Sequence, residues 1–222
     1  MARVTFLGHS GFSVKTDEHL LIFDCTGGRP APGPADRAIA FVSHSHRDHF
    51  WPEVAAWRDR GLCQLVVGDD LPESVGGTRL SPGDEAMVDG AAVRAFGSTD
   101  QGVSFLVQSG GRAIFHAGDL NFWHWRAEST ADEVDQALRA FEAVLESIRG
   151  RRVDAAFFPV DPRLGEGFSE GALRFAEVIR PSAIIPMHFW GHAGAALAFA
   201  EGKMPAGVRA IALTSAGQSI DL

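Results

Sequence analysis

Four apolar runs in this 222-residue chain each finish on an imidazole or a carboxylate: "LLIF" on Asp24, "AIAFV" on the segment "SHSHRDHF" at 43–50, "RAIFHAG" on Asp119 and "SAIIPM" on His188. The three main sources lie roughly seventy residues apart, so no local element joins them; a folded sheet that gathers the carboxyl ends of its strands at one crevice does. Such a site is assembled by the fold, and a layered arrangement of strands and helices follows.

The segment at 43–50 holds three histidines and an aspartate within six positions, in a chain with 9 histidines. Chance yields a given H-x-H-x-D-H spacing about once in a thousand such chains. In extended backbone His44 and His46 point to the same side, as two imidazoles on one cation require, whereas a helix would splay them. This is not the i, i+4 pattern of H-E-x-x-H. Asp48 and His49, past the strand, can turn toward a second position, so one loop feeds two adjacent sites. Imidazole with carboxylate suits Zn, with Mn, Fe or Ni as alternatives, better than Ca or Mg. A purely structural zinc would more often use thiolates, and none is near. Such a cation lowers the pKa of water to about 7 and makes it a nucleophile. Asp48 or Asp119 would orient that water. No G-x-S-x-G elbow is present and neither cysteine sits in a nucleophile motif, so hydrolysis by activated water is the simplest chemistry.

The formal charge of −8 argues against a nucleic-acid partner, which Lys and Arg would have to attract. The basic "RGRR" at 149–152 reads as a helix end. Cys25 and Cys63 are too few for a disulfide framework and read as buried thiols. The N-terminal segment lacks the apolar core of a signal peptide and no stretch reaches membrane-span length, so a cytoplasmic protein acting on a small-molecule substrate, with no membrane partner, is expected. Its oligomeric state is left open. Trp51, Trp123, Trp125 and Trp190 follow the ligand positions closely, with Phe50, Phe122 and Phe189 beside them. They form either an aromatic wall over the site or packing beneath its loops.

Short strands are expected in "RVTFLG", "FSVKT" and "HLLIFD", then a Pro/Gly-rich loop over 26–36, a strand in "AIAFVSHS", a helix at 52–60 with Trp57 inward and a strand in "QLVVG". A meander follows over 85–116. Val134, Leu138, Phe141, Leu145 and Ile148 recur at helical spacing behind a capping box of Thr130 and Glu133, and Gly150 stops that helix. Then come a strand in "VDAAFFPV", a helix at 169–180, a strand in "SAIIPMHF", a short helix near 193–201 and closing strands at 208–213 and 218–221. His19 reads as a surface residue. No linker stands out, so residues 1–222 are expected to form one domain of mixed α+β class.

With these motifs in place, "SHSHRDHF" resembles the H-x-H-x-D-H signature of the metallo-β-lactamase-fold hydrolases. "GHSGF", "LLIFD", "FHAGD" and "IPMHFWG" resemble the motifs of its small phosphorylated-ascorbate-lactonase-like branch. The resemblance implies a four-layer αββα sandwich with one or two metal ions at one edge. It assigns His44 and His46 to a first metal, Asp48, His49 and His188 to a second, Asp119 to a bridge between them and Asp24 to orienting a ligand histidine. It also places the His9 turn near the metals, as a catalytic candidate. The family's first metal takes a third histidine from the segment before the bridging aspartate, and none occurs here between residues 50 and 115. Ser98, Thr99 or Asp100 could substitute, or His124 could fold back as a catalytic or binding group. His116 falls on the face of its strand opposite Asp119. The expected activity is hydrolysis of a small ester, lactone or phosphoester. The alternatives are a non-catalytic metal or ligand sensor with an incomplete first site and, less fitting for an acidic chain, a metallo-ribonuclease or phosphodiesterase.

Overall fold

Phe157 and Phe158, adjacent on one strand, face opposite ways, and that alternation organises the protein. In the computed structural model, which describes residues 2–27 and 32–222, the Phe157 ring stacks on Phe12 at 4.0 Å, between two sheets. Phe158 lies 4.6 Å from Phe175 of a covering helix. Residues 28–31 of the expected loop lie outside the described residues.

The first sheet contains β1 (Arg3–Gly8), β2 (Gly11–Lys15), β3 (Leu20–Phe23), β4 (Ala38–Val42), β5 (Gln64–Gly68) and β6 (Thr78–Leu80), with α1 (Glu53–Asp59) between β4 and β5. The second contains β7 (Glu85–Val88), β8 (Ala91–Gly97), β9 (Val103–Ser109), β10 (Arg112–His116), β11 (Ala155–Pro159), β12 (Ala183–Met187) and β13 (Arg209–Ala210). α2 (Ala131–Ile148) and α3 (Glu170–Ile179) pack on its outer face, and α4 (Ala193–Glu201) follows β12. The last strand, β14 (Ser219–Asp221), returns to pair with β1. Strand orders are β14-β1-β2-β3-β4-β5-β6 and β13-β12-β11-β10-β9-β8-β7. The runs β3 to β6 and β10 to β13 are parallel. The fold is an α+β sandwich of two sheets covered by helices.

Period-two burial explains the layers. Leu21, Phe23, Ile39, Phe41 and Val66 face the second sheet, whereas Ile22, Ala38, Ala40, Val42, Leu65 and Val67 face α1 with Trp57. Strands buried on both faces need continuous apolar sequence, which is why β4 reads "AIAFV" without a polar residue. The expected strands and helices are present, with shorter closing strands and with β6 as an addition. Thr130 and Glu133 form the capping box. The basic run is held as a helix end: Arg149 contacts Glu146 at 2.7 Å, Arg151 lies over Phe96, and Arg152 pairs with Asp154. Both cysteines are buried and free. No helix is long and apolar enough to cross a membrane among the described residues.

One reading is corrected. His19 is fully buried, because Nε2 donates to the Asp89 carbonyl (3.0 Å) and Nδ1 lies 2.8 Å from Ser109 Oγ, tying the β2–β3 turn to the end of β9 in the other sheet. The apolar stripe of α2 is buried only over its second half, at Phe141, Leu145 and Ile148; Leu138 is 37% exposed, in an open groove between α2 and α3. Phe141→Ala is therefore expected to cost about 3–5 kcal/mol. Leu138→Ala should cost about 0.5 kcal/mol or less. Urea denaturation at unchanged m value measures both.

Candidate metal centre

Because β3 and β4 are parallel, as are β10, β11 and β12, five strand ends open at one edge. Asp24 follows β3, His44 follows β4, Asp119 follows β10, Asp161 follows β11 and His188 follows β12. Three glycines let these ends close on Ser43. A Cβ would lie 2.3 Å from the Ser43 carbonyl oxygen at Gly68, 2.2 Å from it at Gly102, and 2.9 Å from Ser43 Cβ at Gly118. His49 and Phe50 donate backbone N–H groups to the His46 carbonyl, forming the turn that swings Asp48 and His49 back over the strand end.

His49 Nε2 and His188 Nε2 lie 3.0 and 3.4 Å from Asp119 Oδ1, and 3.9 and 3.6 Å from Asp48 Oδ2. Ligand atoms about 2.0–2.1 Å from a tetrahedral zinc are about 3.3–3.4 Å apart, so these spacings suit a shared cation. His49 Nε2, Asp119 Oδ1 and His188 Nε2 are all buried and none has a hydrogen-bond partner. Native interiors rarely leave such atoms unpaired, and three converging ones point to an ion.

Their orientation is fixed from behind. His49 Nδ1 donates to Asp24 Oδ2 at 2.6 Å, and His188 Nδ1 donates to Asp161 Oδ2 at 2.9 Å, leaving each Nε2 lone pair for coordination. Asp24 also accepts from the Ser43 backbone N–H (2.8 Å) and hydroxyl (2.6 Å). With the Ser43 proton committed there, His44 Nδ1 donates to Ser43 Oγ at 2.9 Å, so His44 Nε2 faces Asp119 Oδ2 at 3.3 Å and His46 Nδ1 at 3.0 Å. Asp161 was not singled out from the sequence, although "AAFFPVD" is a fifth apolar run that ends on a carboxylate.

His46, Asp100 and Asp119 offer a second set of ligand atoms within 4.8 Å of one another, beside the set of His44, His49 and Asp119. The chain is pinned there because Val103 N donates to the Ser43 carbonyl just after Gly102. The Thr99 hydroxyl is committed to the Asn121 carbonyl, to which it donates, and Ser98 Oγ accepts from Asp100 N. The suggestion that His124 folds back is corrected: its Nε2 lies 3.4 Å from the Gly167 carbonyl oxygen, and only a glycine there leaves room for the ring. His116 donates to the Ser10 carbonyl, outside these groups. His9 joins the set of Asp48, His49 and His188, with Nε2 3.1 Å from Asp48 Oδ2.

A cavity of about 230 Å³ opens over Asp119 and His188, walled by Trp123, Trp125 and Arg163 and rimmed by Asp100. Trp123 donates its indole N–H to the Asp119 carbonyl (2.8 Å), and Trp190 is 44% exposed beside His9 and His188. Trp51 packs on Trp57 beside α1, and Phe122 and Phe189 are buried, so the aromatics divide between wall and packing.

Backbone strain and charge concentrate at the same edge. Of the seven non-glycine residues with positive φ among the described residues, five are His9, Asp24, Trp125, His188 and Trp190. Each costs of the order of 1–3 kcal/mol and is held only by its surroundings. Burial disfavours a charged His49, but the carboxylates of Asp24 and Asp119 outweigh it and push its pKa up to about 10. His188 is likewise raised against its burial by Asp161 and Asp48. Asp119 is held well below the usual carboxylate range: burial opposes ionisation, and His44, His49 and His188 prevail. Burial pushes His9 down.

No protein-family model matches the chain. It is similar to the UPF0173 metal-dependent hydrolases of Heliobacterium modesticaldum, at 26% identity over 213 residues covering 85% of this chain and 83% of the relative. A namesake in Thermus thermophilus is 26% identical over 214 residues, covering 85% and 84%. Among solved structures it resembles the metallo-beta-lactamase fold protein YhfI from Bacillus subtilis, with TM-score 0.68, 12% identity and coverage of 99% of this chain and 98% of that one. It also resembles the metallo hydrolase Igni18 from Ignicoccus hospitalis, with TM-score 0.64, 17% identity and coverage of 99% and 97%. These structural likenesses concern the fold.

Coordination requires a neutral imidazole, whereas Asp24 and Asp119 push the pKa of His49 up to about 10 against its burial. Zinc loading is expected to release protons and to weaken as pH falls; calorimetry in buffers of different ionisation enthalpy reads both. Asp161→Asn should lower metal affinity about 10–100-fold, measured by competition with a chromophoric chelator.

Proposed function

We propose that the chain is a metallo-β-lactamase-fold hydrolase and that it cleaves a small ester, lactone or phosphoester with a metal-activated water. The observation that carries this reading is the trio of buried, unpartnered atoms, His49 Nε2, Asp119 Oδ1 and His188 Nε2. His49, His188, Asp48 and Asp119 would hold one ion. His44, His46 and Asp119, completed by Asp100 in place of the family's third histidine, would hold another. Imidazole and carboxylate donors favour zinc, with Mn, Fe or Ni as alternatives. The metal would polarise the substrate oxygen and lower the pKa of water to about 7.

The chain's own residues supply orientation and proton handling. Asp48, 29% exposed beside the buried Asp24, Asp119 and Asp161, would orient the water and accept its hydrogen bond. His9 donates to Asp48 Oδ2, which holds that carboxylate beside His49 and His188. The tryptophans exclude solvent on one side of the cavity. Its small volume and the chain's charge of −8 favour a small molecule over a nucleic acid. Two free, buried thiols accord with a cytoplasmic location.

A sensor that binds metal without catalysis is the second reading, favoured by an exposed carboxylate where a histidine would make a tighter first site. Metal analysis with a screen of lactones, phosphoesters and thioesters separates them: about two metals per chain with turnover supports hydrolysis. His46→Ala is expected to abolish turnover while the protein stays folded by circular dichroism. Full activity in that variant would overturn the ligand assignment.

A further inference from the structure

Asp100 reaches His46 and Asp119 from a segment with little hold of its own. Residues 98–102 connect β8 to β9 and, among the described residues, make no backbone-to-backbone hydrogen bond. Ser98 Oγ accepts from Asp100 N at 3.3 Å, but that bond is internal to the segment. On one side the chain is tied down where Val103 N donates to the Ser43 carbonyl at 3.1 Å, next to His44. On the other, the Thr99 hydroxyl donates to the Asn121 carbonyl at 2.5 Å and accepts from the Asn121 N–H at 2.9 Å. Thr99 directly precedes Asp100, and Asn121 lies two residues beyond Asp119.

A hydroxyl donates and accepts at once. Here it serves both backbone polar groups of one residue, as the facing residue of a β-bridge would. Asn121 is 1% exposed, so water is not at hand to replace either bond. The contact therefore fixes the Asp100 segment against the loop that carries the bridging aspartate. Asp119 has supports of its own, since Leu120 N donates to the Ala117 carbonyl and the Trp123 indole donates to the Asp119 carbonyl. Loss of the hydroxyl would accordingly release Asp100 and leave Asp119 in place. A carboxylate on one methylene also reaches less far than an imidazole, so a segment that offers Asp100 in place of a histidine has to be drawn closer.

We propose that Thr99 is a positioning residue of the metal centre, whose hydroxyl clasps Asn121 and thereby sets Asp100 at chelating distance from His46 and Asp119. The inference rests on the reading of Asp100 as the ligand that completes the set with His44, His46 and Asp119. It makes affinity at that set depend on a side chain that touches no metal, while the set of Asp48, His49 and His188 is independent of it.

The test is competition between zinc-free protein and a chromophoric chelator for zinc, with no turnover read. Wild type is expected to take up two zinc ions in separable steps. Asp161→Asn, behind His188, identifies one step by weakening it, and Asp100→Ala identifies the other. Thr99→Val, which keeps the shape and withdraws both bonds, should weaken the Asp100-dependent step about 10–100-fold and leave the other unchanged. Thr99→Ser, which keeps the hydroxyl, should bind both ions as wild type does. Thr99→Ala carries the same expectation as the valine variant should the latter fail to fold.

An Asp100-dependent step that Thr99→Val leaves at wild-type affinity would overturn the inference while sustaining Asp100 as a ligand. Equal weakening of both steps, or a serine variant as weak as the valine one, would reduce Thr99 to general support of the fold and overturn it as well. One zinc per chain in wild type, or two steps indifferent to Asp100→Ala, would overturn the ligand reading and the inference together.

Discussion

A carboxylate removed from water at the end of β3 governs the rest of the structure. Asp24 is 1% exposed, and burial of an ion without partners would be prohibitive. Its oxygens instead take a backbone N–H and a hydroxyl from Ser43 and the Nδ1–H of His49. Those bonds join β3 to the end of β4 and set the tautomer of His49, and through Ser43 that of His44. Asp161 repeats the device in the other sheet, behind His188. Each sheet thus contributes a buried anion that aims an imidazole into the gap between the sheets, and Asp119 stands where the imidazoles meet.

The same edge explains where backbone strain is tolerated. His9, Asp24 and His188 sit in left-handed conformations that a side chain ordinarily avoids. A strand that continued regularly would carry the next residue away from the crevice, whereas a reversal at its last position turns the side chain inward. The cost is sustained by the inter-sheet core, in which Phe12, Phe23 and Phe157 pack behind these ends. Gly68, Gly102 and Gly118 serve the opposite need, since any side chain there would hold the ends apart.

The sequence made some of this legible for a physical reason. Apolar runs that stop on ligand atoms declare both the strand and its functional end, so the positions of Asp24, His44, Asp119 and His188 at one edge follow from periodicity and punctuation. The choice among Ser98, Thr99, Asp100 and His124 stayed open in the sequence, because it depends on loop return: Asp100 arrives beside His46 where Gly102 and Val103 dock on Ser43. His124 was equally available on paper and is held away by Gly167. His19 looked solvent-facing because a lone histidine in a turn carries no periodic signal, yet its partners, Ser109 and Asp89, come from the other sheet. Asp161 was readable by the rule applied to the other strands. The setting of Arg163 was not, since it depends on two tryptophans that fold to its faces from distant loops.

The electrostatic balance then links loading and stability. The surrounding carboxylates raise the pKa of both His49 and His188 against their burial, and three atoms of the centre lack hydrogen bonds. Each unsatisfied buried atom costs about 1–3 kcal/mol, and a metal that binds only the folded state recovers that and adds its own binding energy. Because Asp161 Oδ2 is shared by His188, Arg163 and Trp190, a change in what Arg163 touches alters the charge seen by the ligand histidine. Lysine in that position would keep the charge but could not engage two carboxylate oxygens while stacking between two rings. The planar fork therefore couples the wall of the cavity to its floor, and it does so through hydrogen bonds that are all internal to the protein.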